Sequence, residues 1–195
     1  MIMVETGSTT VFVYDDVLDT ESCDKIYDFI LDKKRGLLGS SNDDTMPWHC
    51  DKCLEMKDLS GDLRIIAKNH RENVVKIVNN HYQSVFRQLF PEFSHIVLWD
   101  KKNKMNRHTD DETYSTRKVS CVTYLNDDFV GGETFIRTEH DKDYICKPKK
   151  GRLVIYLSNP INSHGVNQIS DGYRVTFPMW FGTNQSNVEE MLTWQ

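Results

Sequence analysis

His108 and Asp110 stand two residues apart in "NRHTD", and His164 follows in "NSHGV" after a strand-like run and a polar turn. In extended chain, positions i and i+2 project to one face, so an imidazole and a carboxylate there can converge on one ion. His164, from a different strand, would complete a set of two imidazoles and one carboxylate with three positions left open. That donor set suits a non-haem Fe(II) centre. Ten residues after His164 comes Arg174, entering a further strand in "DGYRVTF". A guanidinium one strand deeper in the same cavity can clamp a carboxylate through paired N–H donors. His-x-Asp by itself is a weak signal in a chain with 7 His and 27% charged residues, so the surroundings have to carry the reading.

Those surroundings divide the chain. "TVFVYDDVL" (10–18) alternates as a strand does, and Asp19 or Thr20 can cap the helix "ESCDKIYDFILDKK", where Cys23, Ile26, Phe29 and Ile30 recur at helical spacing. "RGLLGSSNDDTMPWHCDK" (35–52) is rich in Gly, Ser, Asn and Asp and reads as a long loop, a candidate lid over a cavity with Trp48 as its large aromatic. From Asp62 to Leu89 an apolar face marks one long helix that Pro91 should end, with His70 and His81 as surface or boundary residues. Beyond residue 94 come short β-type runs ("HIVLW", "RKVSCVTYL", "ETFIRT", "YICKP", "GRLVIYL", "YRVTFPMWF") separated by turn residues. The expected fold is α+β and mainly β. One domain is expected: helix-rich support over 1–93, a β core with the metal site over 94–182, and a C-terminal tail over 183–195.

Composition excludes several classes. At 195 residues with 38% hydrophobic residues, a folded single domain is expected. A net charge of −5 leaves no general footprint for nucleic acid or an anionic membrane, although Lys101, Lys102 and Lys104 form a local basic run. No apolar run approaches the roughly 18 residues of a membrane span. Glu5 interrupts the position of a signal peptide's apolar segment. Five scattered cysteines fit a reduced, cytoplasmic protein. Cys50 and Cys53, beside His49, form a lone Cys-x-x-Cys without the second ligand pair that a structural zinc site needs.

Taken together, these motifs resemble the iron- and 2-oxoglutarate-dependent dioxygenases, in their prolyl 4-hydroxylase-like branch. "RKVSCVTYLNDDFVGGETFI" is similar to that branch's Arg, Ser/Thr, Tyr-Leu-Asn and Gly-Gly-Glu signature. "PKKGRLVIYLSN", "SHGV" and "GYRVTFPMWF" are similar to its Pro-x-x-Gly-x-Leu strand, distal His, basic residue and terminal Trp-Phe. The match covers roughly residues 96–181 in the right order. Two departures stand out: "LWDKKNKMNRH" lacks the branch's glycine and has Trp99 near its usual Tyr, and the basic residue is Arg174 rather than Lys.

The resemblance implies a double-stranded β-helix (jelly-roll, cupin-like) core buttressed by the N-terminal helices. It implies Fe(II) on His108, Asp110 and His164, with 2-oxoglutarate and O2 as co-substrates and ascorbate among the reductants it admits. The co-substrate's distal carboxylate would pair with Arg174 and Tyr124, and Thr134 would line it. Gly131 and Gly132 would make a turn, Trp180 would form core or cavity wall, and Arg117 would be a surface charge or reach the substrate mouth. The implied reaction is hydroxylation of an unactivated C–H bond with succinate and CO2 as co-products. Asp110 argues against halogenation, and Trp180 stands where the alkylation-repair demethylases carry a second Arg. The implied substrate is a prolyl residue in a peptide or protein, with a free amino acid or small metabolite as the alternative. From other classes come a non-catalytic metal-binding β-sandwich and a zinc-binding interaction protein built on His49, Cys50 and Cys53.

Overall fold

The computed structural model describes residues 1–36 and 52–188. Its elements are β1 (Ile2–Val4), β2 (Val11–Asp15), α1 (Thr20–Gly36), β3 (Lys52–Glu55), α2 (Gly61–Tyr82), β4 (Phe90–Trp99), β5 (Met105–His108), α3 (Asp110–Thr113) and β6 (Arg117–Tyr124). They continue with β7 (Val130–Gly131), β8 (Thr134–Arg137), β9 (Asp143–Cys146), β10 (Leu153–Leu157), β11 (His164–Val166), β12 (Ile169–Asp171) and β13 (Arg174–Gly182). A seven-stranded sheet runs β1-β2-β10-β6-β13-β4-β3, and a four-stranded sheet runs β5-β11-β8-β9. Every pairing is antiparallel. The architecture is the double-stranded β-helix expected from the sequence. Among the described residues no helix is long and apolar enough to cross a membrane.

Side-chain alternation builds two compartments on the large sheet. Val175, Phe177, Met179 and Phe181 of β13, with Ile96 and Leu98 of β4, join Leu153, Ile155, Val119 and Cys121 under the two long helices. Those helices supply Cys23, Ile26 and Ile30 from α1, and Ala67, Val74, Ile77 and Val78 from α2. The intervening residues point the other way. Arg174, Thr176, Pro178 and Trp180 of β13, and Phe93, His95, Val97 and Trp99 of β4, line a cavity between the sheets. A period of two thus separates a greasy face that anchors the helices from a mixed face that can do chemistry.

The structure corrects the sequence reading in three places. The long helix ends at Tyr82 rather than running on to Leu89. The Asn79 side chain turns the chain there, accepting from Leu89 N at 2.8 Å and donating to Leu89 O at 3.0 Å. Pro91 therefore does not stop a helix but lies in β4, opposite Phe181 at a register shift with β13. An irregular pairing tolerates the missing N–H. β1, β2 and β3 extend the large sheet, so the first ninety residues supply strands to it as well as the helices that cover it.

His70 is the third correction. It is buried rather than at the surface, its Nε2 2.9 Å from Thr123 Oγ1 and its ring against Phe177. His81 sits at the boundary, hydrogen-bonded to Tyr14 and stacked on Phe12. Burial lowers the His70 pKa from 6.5 to about 4, so the fold holds the neutral ring. The unfolded chain then binds an extra proton between those values, and stability contributed by His70 should fall as pH drops from about 6.5 toward 4. Urea midpoints across that range should show a shallower pH slope in His70→Gln; an equal slope would contradict a neutral buried ring.

Candidate active site

His108 closes β5, Thr109 is extended at φ −124 and ψ 145, and Asp110 opens α3. Asp110 is thus helical rather than in a strand, but the extended Thr109 still turns both side chains to one side. His164 opens β11 and pairs directly with His108 across the small sheet. The two imidazoles consequently face each other with ring centroids 4.4 Å apart.

Hydrogen bonds settle which nitrogens are available. His108 Nδ1 lies 2.9 Å from Asn106 O, and His164 Nδ1 lies 3.1 Å from Asn162 O. A carbonyl only accepts, so each Nδ1 carries the hydrogen and donates it, which leaves both Nε2 lone pairs free. Those atoms meet Asp110: His108 Nε2 is 3.6 Å from Oδ1 and His164 Nε2 is 3.4 Å from Oδ2. The three ligand atoms lie within 4.8 Å of one another, and among the described residues this is the one cluster that could hold a metal ion. Two imidazole nitrogens and one carboxylate oxygen, pre-oriented and partly desolvated, fit a non-haem Fe(II).

The electrostatics agree. Burial lowers the His164 pKa to about 4, against the pull of Asp110, so it is a neutral lone-pair donor at neutral pH. Burial alone would raise the Asp110 carboxyl, but hydrogen bonding from His108 and the charge of His164, when those rings are protonated, together with a hydrogen bond from Ser120 take it well below the usual carboxylate range. Ser120 Oγ donates to Asp110 Oδ2 at 2.5 Å and shares a 2.8 Å bond with Ser158 Oγ. The sequence reading held Ser120 only as the Ser/Thr of the resemblance signature, with no role, and passed over Ser158, since a strand serine shows no function until its partner is known. Ser120→Ala should weaken metal binding by about 10–100-fold, the size typical of an outer-shell partner. Ser120→Thr, which keeps the hydroxyl, should recover most of it. Anaerobic Fe(II) titration reads the difference, and an unchanged Kd in Ser120→Ala would mean that Asp110 needs no such brace.

The same cavity, about 180 Å³, is lined by His108, Asp110 and His164 and also by Arg174. Arg174 is 2% exposed. Its Nε donates to Gly132 O at 3.0 Å, and its two terminal nitrogens donate to Thr176 Oγ1 and Thr134 Oγ1 at 3.2 Å each. All three acceptors are neutral, so a buried guanidinium with two N–H groups to spare fronts the cavity without a carboxylate partner among the described residues. Gly132 has φ +67, and a Cβ there would stand 2.9 Å from Phe129 Cε2 and 3.1 Å from Arg174 Cδ, so the turn that presents its carbonyl to Arg174 needs glycine.

The other residues singled out from the sequence fall into clear positions. Thr134 lines the cavity beside Arg174. Tyr124 is fully buried behind it, its hydroxyl 2.7 Å from Thr134 Oγ1 and its ring 5.3 Å from the Arg174 guanidinium. Trp99 and Trp180 are cavity walls, and Arg117 reaches the cavity rather than bulk solvent. The Trp99 Nε1 is buried without a hydrogen-bond partner among the described residues. Cys53, on β3, lies at the cavity edge. The lid expected over 35–52 lies, apart from its ends, outside the described residues, as do Trp48, His49 and Cys50.

Residues 91–182 match the family model of the 2OG-Fe(II) oxygenase superfamily. Human prolyl 3-hydroxylase 2 is 42% identical over 71 residues, which is 35% of this chain and 10% of that protein. Chicken (Gallus gallus) prolyl 3-hydroxylase 1 is 30% identical over 138 residues, 56% of this chain and 19% of that protein. The match therefore spans only a tenth to a fifth of these curated relatives. A prolyl-4-hydroxylase from Pseudomonas putida superposes with a TM-score of 0.71 at 16% identity, covering 90% of this chain and 93% of that one. A Trichoplax adhaerens prolyl hydroxylase, solved with a peptide fragment of the hypoxia inducible factor oxygen degradation domain, gives 0.72 at 13% identity over 93% and 87%. At such identities the structural likeness speaks for the fold. The motif order, the converging His108, Asp110 and His164, and the family match agree: residues 91–182 carry a domain of the 2OG-Fe(II) oxygenase superfamily, whose members use Fe(II), 2-oxoglutarate and O2.

Proposed function

We propose that this protein hydroxylates an unactivated C–H bond of a prolyl residue in a peptide or protein, consuming 2-oxoglutarate and O2 and releasing succinate and CO2. The observation that carries the reading is the polarity of the cavity. Two free imidazole lone pairs and a carboxylate converge at one place, and a buried guanidinium with neutral partners waits in the same space. A dicarboxylic keto acid that chelates a metal and presents a distal carboxylate matches both features.

His108, Asp110 and His164 would hold the iron, which with its co-substrate supplies the oxygen chemistry when bound. Asn106 O and Asn162 O keep the imidazoles in the ligating tautomer, and Ser120 holds the carboxylate against rotation. Arg174, Thr134 and Thr176 would orient the co-substrate's far carboxylate, with Tyr124 fixing Thr134 and stacking near the guanidinium. Val97, Trp99, Met105 and Val166 form an apolar wall that limits water at the reacting centre.

The prolyl substrate is supported by the names of the relatives and structural neighbours, which divide between prolyl 3- and prolyl 4-hydroxylases. The test is a mass-spectrometric screen of proline-containing peptides with Fe(II) and 2-oxoglutarate. A product heavier by one oxygen, with its position on the ring read by fragmentation, is expected. Oxygen transfer to free amino acids alone would overturn the peptide reading.

A further inference from the structure

Of the charged residues lining the cavity, Arg117 has no part in holding the metal or the co-substrate. Arg117 opens β6, and its guanidinium carbon sits 4.0 Å from the Tyr114 ring centroid and 4.4 Å from that of Trp180. Trp180 is in turn stacked on Phe93 at 5.9 Å and met edge-on by His95 at 5.2 Å, and all of these side chains line the cavity that holds the metal ligands. With two rings packed against the guanidinium, its N–H edge is the part left to bond. No side-chain hydrogen bond or ion pair uses that edge among the described residues.

The charge balance of the cavity shows what is missing. Its described charged residues are Arg117, Arg174 and Asp110; His108 and His164 would be taken up as neutral metal ligands, and His95 is held neutral by burial. Adding a dication and dianionic 2-oxoglutarate leaves one net positive charge. Arg174 would be satisfied by the co-substrate and Asp110 by the metal, so the remaining charge is that of Arg117, on the aromatic side of the cavity. Asp110 and Glu92 act on Arg117 only through space, and a half-buried cation held against two rings with no carboxylate hydrogen-bonded to it among the described residues is a receptor for one.

We infer that Arg117 binds a carboxylate of the primary substrate, so that the preferred substrate is acidic next to the position hydroxylated. The carboxylate can come from a neighbouring Glu or Asp side chain or from a free C-terminus. The inference rests on the oxygenase reading above. Three peptides of the same length test it: one with Glu flanking the proline, one with Gln there and an amidated C-terminus, and one with Gln there and a free carboxylate directly after the proline. Two quantities are read: kcat/KM for hydroxylation, and Kd for the Fe(II)- and 2-oxoglutarate-loaded protein without oxygen. At least one carboxylate peptide should exceed the neutral peptide by about tenfold or more in both. Which of the two does so identifies the source.

In Arg117→Gln the acidic-to-neutral ratio should fall to about one, and in Arg117→Lys it should be intermediate. Because the ratio is taken within each variant, a general loss of activity does not mimic the result. Equal use of all three peptides by the parent protein, an undiminished ratio in Arg117→Gln, or succinate formation with none of the peptides hydroxylated would overturn the inference. Absence of succinate under every condition would instead bring down the oxygenase reading itself.

Discussion

Alanine in place of His164 should abolish hydroxylation and 2-oxoglutarate turnover while leaving the fold standing. The imidazole reaches the site through one strand, β11; among the described residues its hydrogen bond goes to a backbone carbonyl two residues away, and its ring contacts are with His108 and Tyr156 at the cavity. The loss removes one of three metal donors and should exceed the roughly 100-fold ceiling typical of outer-shell changes. His108→Ala and Asp110→Ala should match it. Asp110→Ala has a distinguishing signature, because Ser120 and Ser158 keep each other's hydroxyls bonded and the apo protein should melt near the parent. Metal titration, succinate assay and thermal melting on the three variants together separate a lost ligand from a lost fold. A variant that bound Fe(II) and turned over like the parent would remove that residue from the ligand set.

Arg174→Ala should raise the apparent KM for 2-oxoglutarate far more than it changes Fe(II) affinity. Truncating one partner of a buried, charge-assisted contact costs about 2–5 kcal/mol, or on the order of 30-fold to several thousand-fold. Arg174→Lys should fall between, since an ammonium keeps the charge but not the three fixed bonds to Gly132, Thr134 and Thr176. Some loss of stability is also expected in Arg174→Ala, because Gly132 O and two threonine hydroxyls lose a donor. The KM-to-metal contrast is therefore the diagnostic quantity, and an unchanged KM would contradict the assignment.

The chemistry of this chain was more legible than its scaffold. His108, Asp110, His164 and Arg174 could be picked out because the donor types a metal and a carboxylate require are few and their spacing is set by strand geometry. The β13 run "RVTFPMWFG" carries its own evidence of position: its odd-numbered residues are apolar and its even-numbered ones mixed, as a strand between helices and a cavity must be. Features fixed by distant contacts were not legible. The end of α2 depends on Asn79 reaching Leu89, and Pro91 suits a strand only because β13 is irregular opposite it. His70 is buried because Thr123, 53 residues away, supplies its partner. The roles of Ser120 and Ser158 became visible only when the fold brought them to Asp110.

The sequence likeness to prolyl 3-hydroxylases and the structural likeness to prolyl 4-hydroxylases share this scaffold, and they leave ring position to the substrate side of the cavity. Under the proposed function, Phe93, His95, Trp180 and Arg117, which line that side, would set the approach of the target carbon, while the triad and Arg174 would serve either outcome. The measurement that tests the central claim most directly needs no substrate. Purified protein supplied with Fe(II), 2-oxoglutarate and O2 is assayed for succinate, beside Asp110→Ala. Slow, Fe(II)-dependent succinate from the parent and none from the variant is the predicted result; equal succinate from both, or none from the parent at any Fe(II) concentration, would contradict it.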